Sequence, residues 1–129
     1  MSTNAQRGYK DLKVYQRSYA LSMDIFIATR SFPQDEKYSL VDQARRSSRS
    51  IPANIAEAWK KRSYPKLFVS KLVEVAGEAG ETEVWLDFAK DCGYLTNEEH
   101  ERLIAGYDEV CRMLYGMIDK QDKFTHKDL

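Results

Sequence analysis

The chain has 129 residues and 43% hydrophobic content, enough for one continuous core, so we expect residues 1–129 to form a single domain. Basic and acidic side chains balance to a net charge of zero, and the low content of three prolines and six glycines disfavours a turn-rich β sandwich or a disordered chain. The sequence has neither the apolar run of a signal peptide nor the roughly 20 apolar residues of a membrane span, so we expect a cytoplasmic protein that does not enter a membrane.

Three groups of helix-breaking residues divide the chain into four amphipathic segments, each predicted to be a helix: Phe32-Pro33, Ser63-Tyr64-Pro65 and Gly93. The first helix covers about residues 11–31 and carries two adjoining apolar stripes. One stripe consists of Leu12, Tyr15, Tyr19 and Phe26, and the other of Val14, Leu21, Ile25 and Ala28. A helix that is apolar around more than half of its circumference is predicted to be central in its domain or covered by another subunit.

The second helix is predicted over about residues 35–62, with three bands of side chains at helical spacing. The core band comprises Leu40, Ala44, Ser48, Ile51, Ile55, Ala58 and Trp59. A polar band beside it comprises Gln43, Ser47, Ser50, Asn54 and Glu57, and a basic band comprises Arg45, Arg46, Arg49 and Lys60. Pro52 lacks an amide donor and its ring crowds the Ser48 carbonyl, so we expect a bend there rather than a break.

The third helix is predicted over about residues 64–92, with Ser63 as its N-cap, Pro65 in its first turn and Gly93 just past its end. Gly77 and Gly80 lower helix stability, which suggests a close helix approach there. The core stripe is formed by Phe68, Leu72, Val75, Ala79 and Leu86.

The fourth helix begins with a predicted capping box at Thr96 and Glu99 and continues to about residue 120. Its core stripe is formed by Leu103, Tyr107, Val110, Leu114 and Met117. Residues 1–9 and 121–129 are predicted to be flexible. Because short links between long helices favour antiparallel neighbours, the sequence predicts an all-α, antiparallel, up-down-up-down four-helix bundle.

The two halves of the chain carry opposite charge. Residues 1–71 contain 14 Lys or Arg and 6 Asp or Glu, whereas residues 72–129 contain 6 and 14. This asymmetry indicates either a polyanionic partner or self-association of basic and acidic faces. For nucleic acid the candidate residues are the basic side chains around the corner between the second and third helices, with Tyr64 available to stack on an unpaired base: Arg45, Arg46, Arg49, Lys60, Lys61, Arg62, Lys66, Lys71 and Tyr64.

The polar band has two interpretations, a ligand-contacting strip or a structural network between the second and third helices, and we favour the network. Its expected members are Gln43, Ser50, Asn54, Glu57, Glu78 and Glu81.

Motifs for catalysis or metal binding are not recognisable in the sequence. A di-iron bundle requires Glu-x-x-His pairs, whereas the only histidines are His100 and His126, so we expect no metal and no cofactor. There is no nucleophile elbow and no phosphate-binding glycine loop, which argues against an enzyme. Cys92 and Cys111 are expected to be small buried side chains rather than disulfide partners or ligands.

The sequence of residues 43–95 indicates more than a helix, because it contains segments typical of one protein family. The segments SIPANIAE at residues 50–57 and EAGETEVWL at residues 78–86 resemble the four-helix-bundle proteins encoded within intervening sequences of bacterial 23S ribosomal RNA genes. The similarity extends over nearly the whole chain, from YKDLKVYQRSYAL to the last helix. Ala58 departs from the pattern, since many relatives have glycine there.

The resemblance implies a bundle that assembles into a ring, typically a homopentamer, without known catalytic activity. Relatives of this family include the accessory variability protein of diversity-generating retroelements, which binds nucleic acid and partners a reverse transcriptase. Two functions follow as hypotheses. One is binding of RNA or another nucleic acid through the basic surface. The alternative is a protein-protein adaptor, for example for a reverse transcriptase, with Trp59 and Trp85 as candidate interface anchors and no nucleic-acid contact.

Overall fold

The structure, a computed structural model, describes residues 8–125 and contains the four predicted helices. They are α1 (Lys13–Thr29), α2 (Leu40–Lys60), α3 (Pro65–Asp91) and α4 (Asn97–Asp119). Single 3₁₀ turns occur at Gly8–Asp11, Gln34–Glu36 and Gln121–Lys123, and the described residues contain no strand. Each helix packs against the next one in the chain and α1 packs against α4, so the chain is an antiparallel four-helix bundle in which α1 and α3 are diagonal to each other.

The core is built from one stripe of each helix. The stripes predicted for α3 and α4 are buried throughout, and the predicted stripe of α2 is buried except for the half-buried Trp59. The largest side chains in the centre, Tyr107 and Phe68, are fully buried. Removing a side chain of this size from water stabilises the folded state by about 1.5–3 kcal/mol, so the core residues carry most of the stability.

Only one of the two apolar stripes of α1 belongs to the core. Val14, Leu21 and Ile25 are buried, whereas Tyr19 is 52% exposed and Tyr15 is half-buried. Of the two alternatives predicted for this helix, a central position within its own chain is therefore wrong, and cover by another subunit stays a prediction. The reason is geometric, because α1 packs against its neighbours α2 and α4 on one side and has its other side at the surface.

Two predicted helix starts are displaced. The second helix begins at Leu40 rather than near residue 35, because residues 34–36 form a 3₁₀ turn that the Ser39 hydroxyl stabilises by donating to Glu36 Oε1 at 2.7 Å. The third helix has Tyr64 at its cap position without a side-chain hydrogen bond, so Ser63 is not the N-cap. Pro65 in the first turn removes one amide that would need capping.

The ends of the third and fourth helices follow the sequence signals. Gly93 has a φ of +80°, a left-handed conformation that suits glycine at a helix C-terminus. The Glu99 amide donates to Thr96 Oγ1 at 3.0 Å and the Thr96 amide donates to the Glu99 carboxylate at 2.8 Å. The predicted capping box is confirmed. The second helix also continues through Pro52.

The close approach between helices lies at Gly106, not at Gly77 and Gly80. A Cβ atom on Gly106 would lie 2.5 Å from Leu21 Cδ2, so glycine lets α4 contact α1 at this point. A Cβ atom on Gly77 or Gly80 would have no atom of residues 8–125 within 4 Å other than those of its own helix turn. The prediction for these two glycines is therefore wrong within the single chain.

One end of the bundle is closed by the turn that follows α4. Phe124 packs there, with its ring centroid 6.3 Å from that of Trp59 and 6.2 Å from that of Phe68. Residues 121–125 thus form part of the packed molecule, whereas the flexibility predicted for residues 1–7 and 126–129 concerns parts outside the described residues. None of the described helices combines the length and the apolarity needed to cross a bilayer.

Candidate nucleic-acid interface

The candidate cations fall into two groups, and Arg45 belongs to the group that stabilises the bundle. Its Nε donates to Thr29 Oγ1 at 2.9 Å, and its guanidinium carbon lies 4.7 Å from the ring centroid of Phe26. A second nitrogen donates to the Phe26 carbonyl at 3.5 Å. Arg45, which is half-buried, therefore joins α2 to α1 and is not part of the fully exposed surface.

Lys71 and Lys61 are both paired with Glu57. Lys71 Nζ lies 2.7 Å from Glu57 Oε1 and 3.6 Å from Glu74 Oε1, and Lys61 Nζ lies 3.5 Å from Glu57 Oε2. The hydrogen bond from Lys71 lowers the pKa of the Glu57 carboxyl, and the same bond raises the pKa of Lys71. These pairs offset the charge of two of the eight candidate cations at this corner.

Arg62 stacks on a tryptophan. Its guanidinium carbon lies 4.2 Å from the ring centroid of Trp59, and its Nη1 donates to the Trp59 carbonyl at 3.0 Å. Cation–π contact fixes the orientation of the group but leaves its charge in place.

The remaining cations are exposed. Arg46 has 77% of its side chain exposed and lies 4.0 Å from Asp42, a distance that makes only a weak ion pair. Within residues 8–125, Arg49, Lys60 and Lys66 have no carboxylate partner. We define the open cation group as these four basic residues together with Tyr64, which is 65% exposed: Arg46, Arg49, Lys60, Lys66 and Tyr64.

The open cation group is elongated. Arg46, Arg49 and Lys60 lie on the outward side of α2, at positions linked by spacings of three and four through Ala53 and Ala56. At 1.5 Å per residue, about 21 Å separates the two ends of this row. The side chains between these cations on the row are alanines, which project little beyond the helix.

Asn54 links α2 to α3. Its Nδ2 donates to the Ser50 carbonyl at 2.8 Å and lies 3.3 Å and 3.4 Å from the two oxygens of the Glu78 carboxylate. Partial burial raises the pKa of Glu78, and the hydrogen bonds that it accepts oppose this change. The hydrogen bond between Asn54 and Glu78 joins two helices through polar side chains, as expected for a structural network.

Two other expected members also link α2 to α3, since the Ser50 side chain hydrogen-bonds Glu78 and Glu57 pairs with Lys71, whereas the remaining two lie elsewhere. Gln43 is exposed, and Glu81 accepts a hydrogen bond from Trp85 of its own helix at 3.2 Å. A buried link that sequence reasoning missed joins Thr82 Oγ1 to Ser47 Oγ at 2.9 Å. Ser47 was visible in the polar band, but nothing in the sequence indicates that Thr82 faces it.

Sequence reasoning also missed a groove between α1 and α2. It has a volume of about 360 Å³ and its walls include three tyrosines, of which Tyr15 lies 5.0 Å from Tyr9 and 6.0 Å from Tyr19 between ring centroids. Arg49 lines the same groove. The surface stripe of α1 is the sequence signal that could have identified it.

Groups suited to holding a metal ion are not assembled in the part of the chain that the structure describes. No three His, Cys, Asp or Glu side chains converge there. His100 Nε2 lies 2.7 Å from Asp87 Oδ1, and His126 lies outside the described residues. Cys92 is exposed, contrary to the prediction, because it caps the C-terminus of α3, and Cys111 is half-buried, with a pKa raised by burial.

Comparison with known proteins agrees with this fold. The model of the family described as 23S rRNA-intervening sequence protein matches residues 10–116. A crystal structure of a protein with unknown function from the S23 ribosomal protein family of Bacteroides thetaiotaomicron VPI-5482 is 29% identical, with a TM-score of 0.72. The similarity covers 81% of this chain and 97% of that one. The search of curated proteins gave no match. The family match spans most of the chain, and the protein therefore belongs to the 23S rRNA-intervening sequence protein family.

Proposed function

We propose that this protein is a non-enzymatic, self-assembling four-helix bundle that binds RNA through the open cation group. One observation carries the proposal: Arg49, Lys60 and Lys66 have no carboxylate partner in the described chain, although acidic residues are as numerous as basic ones. The family description, 23S rRNA-intervening sequence protein, makes RNA the first nucleic acid to test. Assembly into a ring, with five copies as the resemblance implies, would repeat the open cation group and increase the local positive potential.

The proposed binding reads charge and shape rather than base sequence. Lysine and arginine contacts to phosphates position RNA and carry no sequence information. Tyr64 adds a surface for stacking one unpaired base, a contact that every base accepts. We therefore expect a preference for RNA with a single-stranded loop over a continuous duplex, and little discrimination among loop sequences.

A charge-reversal pair tests the proposal. The variant Lys60→Glu/Lys66→Glu is compared with Lys90→Glu/Arg112→Glu, which makes the same charge change at exposed cations in the acidic half of the chain. Affinity for a fluorescent RNA hairpin is measured by anisotropy across a salt series. The first variant is expected to weaken binding strongly and to reduce the salt slope by about 2, since each lost phosphate contact lowers it by about 1. Equal effects of the two variants would show that only net charge matters and would contradict this site.

A second candidate function, a protein-protein adaptor that makes no nucleic-acid contact, is favoured by the exposed apolar residues of α1 and α3. Tyr19, Ile27, Val73 and Phe88 are each more than half exposed. The salt series also separates the two functions. Absence of RNA affinity at low ionic strength, with the oligomer intact by light scattering, would support the adaptor and refute RNA binding.

A further inference from the structure

Two apolar faces are exposed on this molecule. The tyrosine face of α1 comprises Tyr15, Tyr19, Met23 and Ile27, of which the last three are 52%, 43% and 60% exposed. The glycine face of α3 comprises Val73, Gly77, Gly80, Val84 and Phe88, whose three large side chains are 52%, 47% and 53% exposed. Contiguous apolar surface of this kind on a globular protein marks an interaction site.

The two faces cannot cover each other within one molecule. Both lie on the outward side of their helices, and α1 and α3 occupy diagonal corners of the bundle, so the faces look away from each other. Their lengths are similar, since Tyr15 and Ile27 are about 18 Å apart along the axis and Val73 and Phe88 about 22 Å. Each face can therefore be covered by a second copy of the chain, which presents a face of matching length on the opposite side of its own bundle.

The charges beside the two faces are opposite. Arg30 and Arg49, both exposed, flank the tyrosine face. Exposed carboxylates flank the glycine face: Glu81, Asp87 and Asp91. Two tyrosine faces, or two glycine faces, would bring like charges together, whereas a tyrosine face against a glycine face pairs opposite charges.

The shapes are also complementary. Gly77 and Gly80 have open space beside them in the chain, which leaves a shallow trough between Val73 and Val84. Glycine is a poor helix former, and no other helix of the described residues approaches either glycine. A neighbouring helix with projecting aromatic side chains would fill the trough, and the tyrosine face presents such side chains.

We propose that copies of this chain associate head to tail, with the tyrosine face of one copy on the glycine face of the next. This inference deepens the self-assembly in the proposed function and rests on it. Because the two surfaces differ, the contact is heterologous, and repetition gives a closed ring if the rotation between copies closes. Lys60 and Tyr64 lie outside both faces and remain accessible around the assembly, whereas Arg49 lies beside the contact.

The first test uses Gly77→Gln/Gly80→Gln. Glutamine is a good helix former without charge, and both positions have open space, so the variant should fold with the helix content of the wild type, while its Tm loses the stabilisation that assembly adds. The mass by light scattering should fall to that of a monomer. Gly116→Gln in α4 is the matched control, because Gly116 also has no atom within 4 Å of its Cβ position, and it should keep the wild-type mass.

The second test distinguishes head-to-tail pairing from pairing of identical faces. Tyr19→Glu/Met23→Glu blocks the tyrosine face at two exposed positions, and Gly77→Gln/Gly80→Gln blocks the glycine face. Each variant alone should be monomeric, and an equimolar mixture should form a dimer with one copy of each. A mixture that stays monomeric, or one variant that dimerises alone, would overturn the proposal.

The failure modes are separable because mass is measured without RNA. A monomeric wild type would refute the self-assembly in the proposed function. An oligomeric wild type whose glycine-face variant keeps its mass would refute only this interface. RNA affinity is measured independently on the Lys60 and Lys66 variants, so neither result depends on it.

Discussion

Substitution of Gly106 by alanine tests whether the contact between α4 and α1 is as close as the structure has it. The new Cβ atom would lie 2.5 Å from Leu21 Cδ2 and 3.0 Å from Leu21 Cδ1, and Leu21 is fully buried, so the leucine can move aside only by repacking its core neighbours. Overpacking of this kind costs about 1–3 kcal/mol. Replacing glycine within a helix returns about 1 kcal/mol, so we expect a net loss of about 1 kcal/mol in the free energy of unfolding.

Gly116→Ala is the matched control in the same helix, since its Cβ would meet nothing within 4 Å. It should raise the free energy of unfolding by up to about 1 kcal/mol. Both are measured by urea denaturation followed by circular dichroism at one fixed protein concentration, because assembly makes stability concentration-dependent.

A double-mutant cycle identifies the cause. Leu21→Ala alone should cost about 2–5 kcal/mol, and it removes the two nearest atoms that the Gly106 Cβ would meet, leaving Arg17 Nη2 at 3.1 Å, the end of a flexible side chain. In that background Gly106→Ala should become stabilising, with a coupling energy of about 1–3 kcal/mol. If Gly106→Ala stabilises the wild-type background as much as Gly116→Ala does, the close approach described here is refuted.

Three further predictions concern single side chains. Thr96→Ala should lower the free energy of unfolding by about 1 kcal/mol in the same denaturation assay, whereas Ser63→Ala, which removes no cap, should change it by less than about 0.5 kcal/mol. The contributions of Glu78 and Glu57 to the free energy of unfolding should depend on pH in opposite directions. The pKa of Glu78 is raised by folding, so its stabilising contribution is present below its ordinary value of 4.5 and is lost as pH rises through the folded pKa; Glu78→Gln should therefore gain stability relative to wild type as pH rises. The pKa of Glu57 is lowered by folding, so its stabilising contribution is present above its ordinary value of 4.5 and is lost as pH falls. Glu57→Gln should therefore be destabilising at pH 7 and approach the stability of the wild type in acid. The reverse trend in either variant would contradict the direction given for its pKa. Arg45→Ala should reduce the free energy of unfolding by about 1–3 kcal/mol and leave RNA affinity nearly unchanged. A loss of RNA affinity without a loss of stability would show instead that Arg45 belongs to the binding surface.

The sequence predicted the parts of the fold that depend on local periodicity. Core stripes at spacings of three and four identified the buried side of α2 to α4, because a bundle buries one continuous side of each helix. Thr96 and Gly93 were recognisable because capping and left-handed termination depend on a few adjacent residues. The prediction of Ser63 as the N-cap is wrong because Tyr64 occupies that position, and the capping preferences of neighbouring residues do not fix a helix start to within one residue.

The candidate site was less predictable because it depends on which charges meet across helices. Lys71 and Arg45 belong to the basic cluster in sequence, yet the partners Glu57 and Thr29 become visible only when the helices pack. The same limit applies to glycine. Composition shows that Gly77, Gly80 and Gly106 weaken their helices, but only the packing distinguishes the close contact at Gly106 from the open surface on α3.

The closed end of the bundle provides an intrinsic optical probe. The Trp59 indole contacts the Phe124 ring on one side and carries the Arg62 guanidinium 4.2 Å above it on another, so its emission is sensitive to departure of the turn that follows α4. In a Trp85→Phe background this would be the sole indole signal, which allows opening of that end to be timed separately from global unfolding.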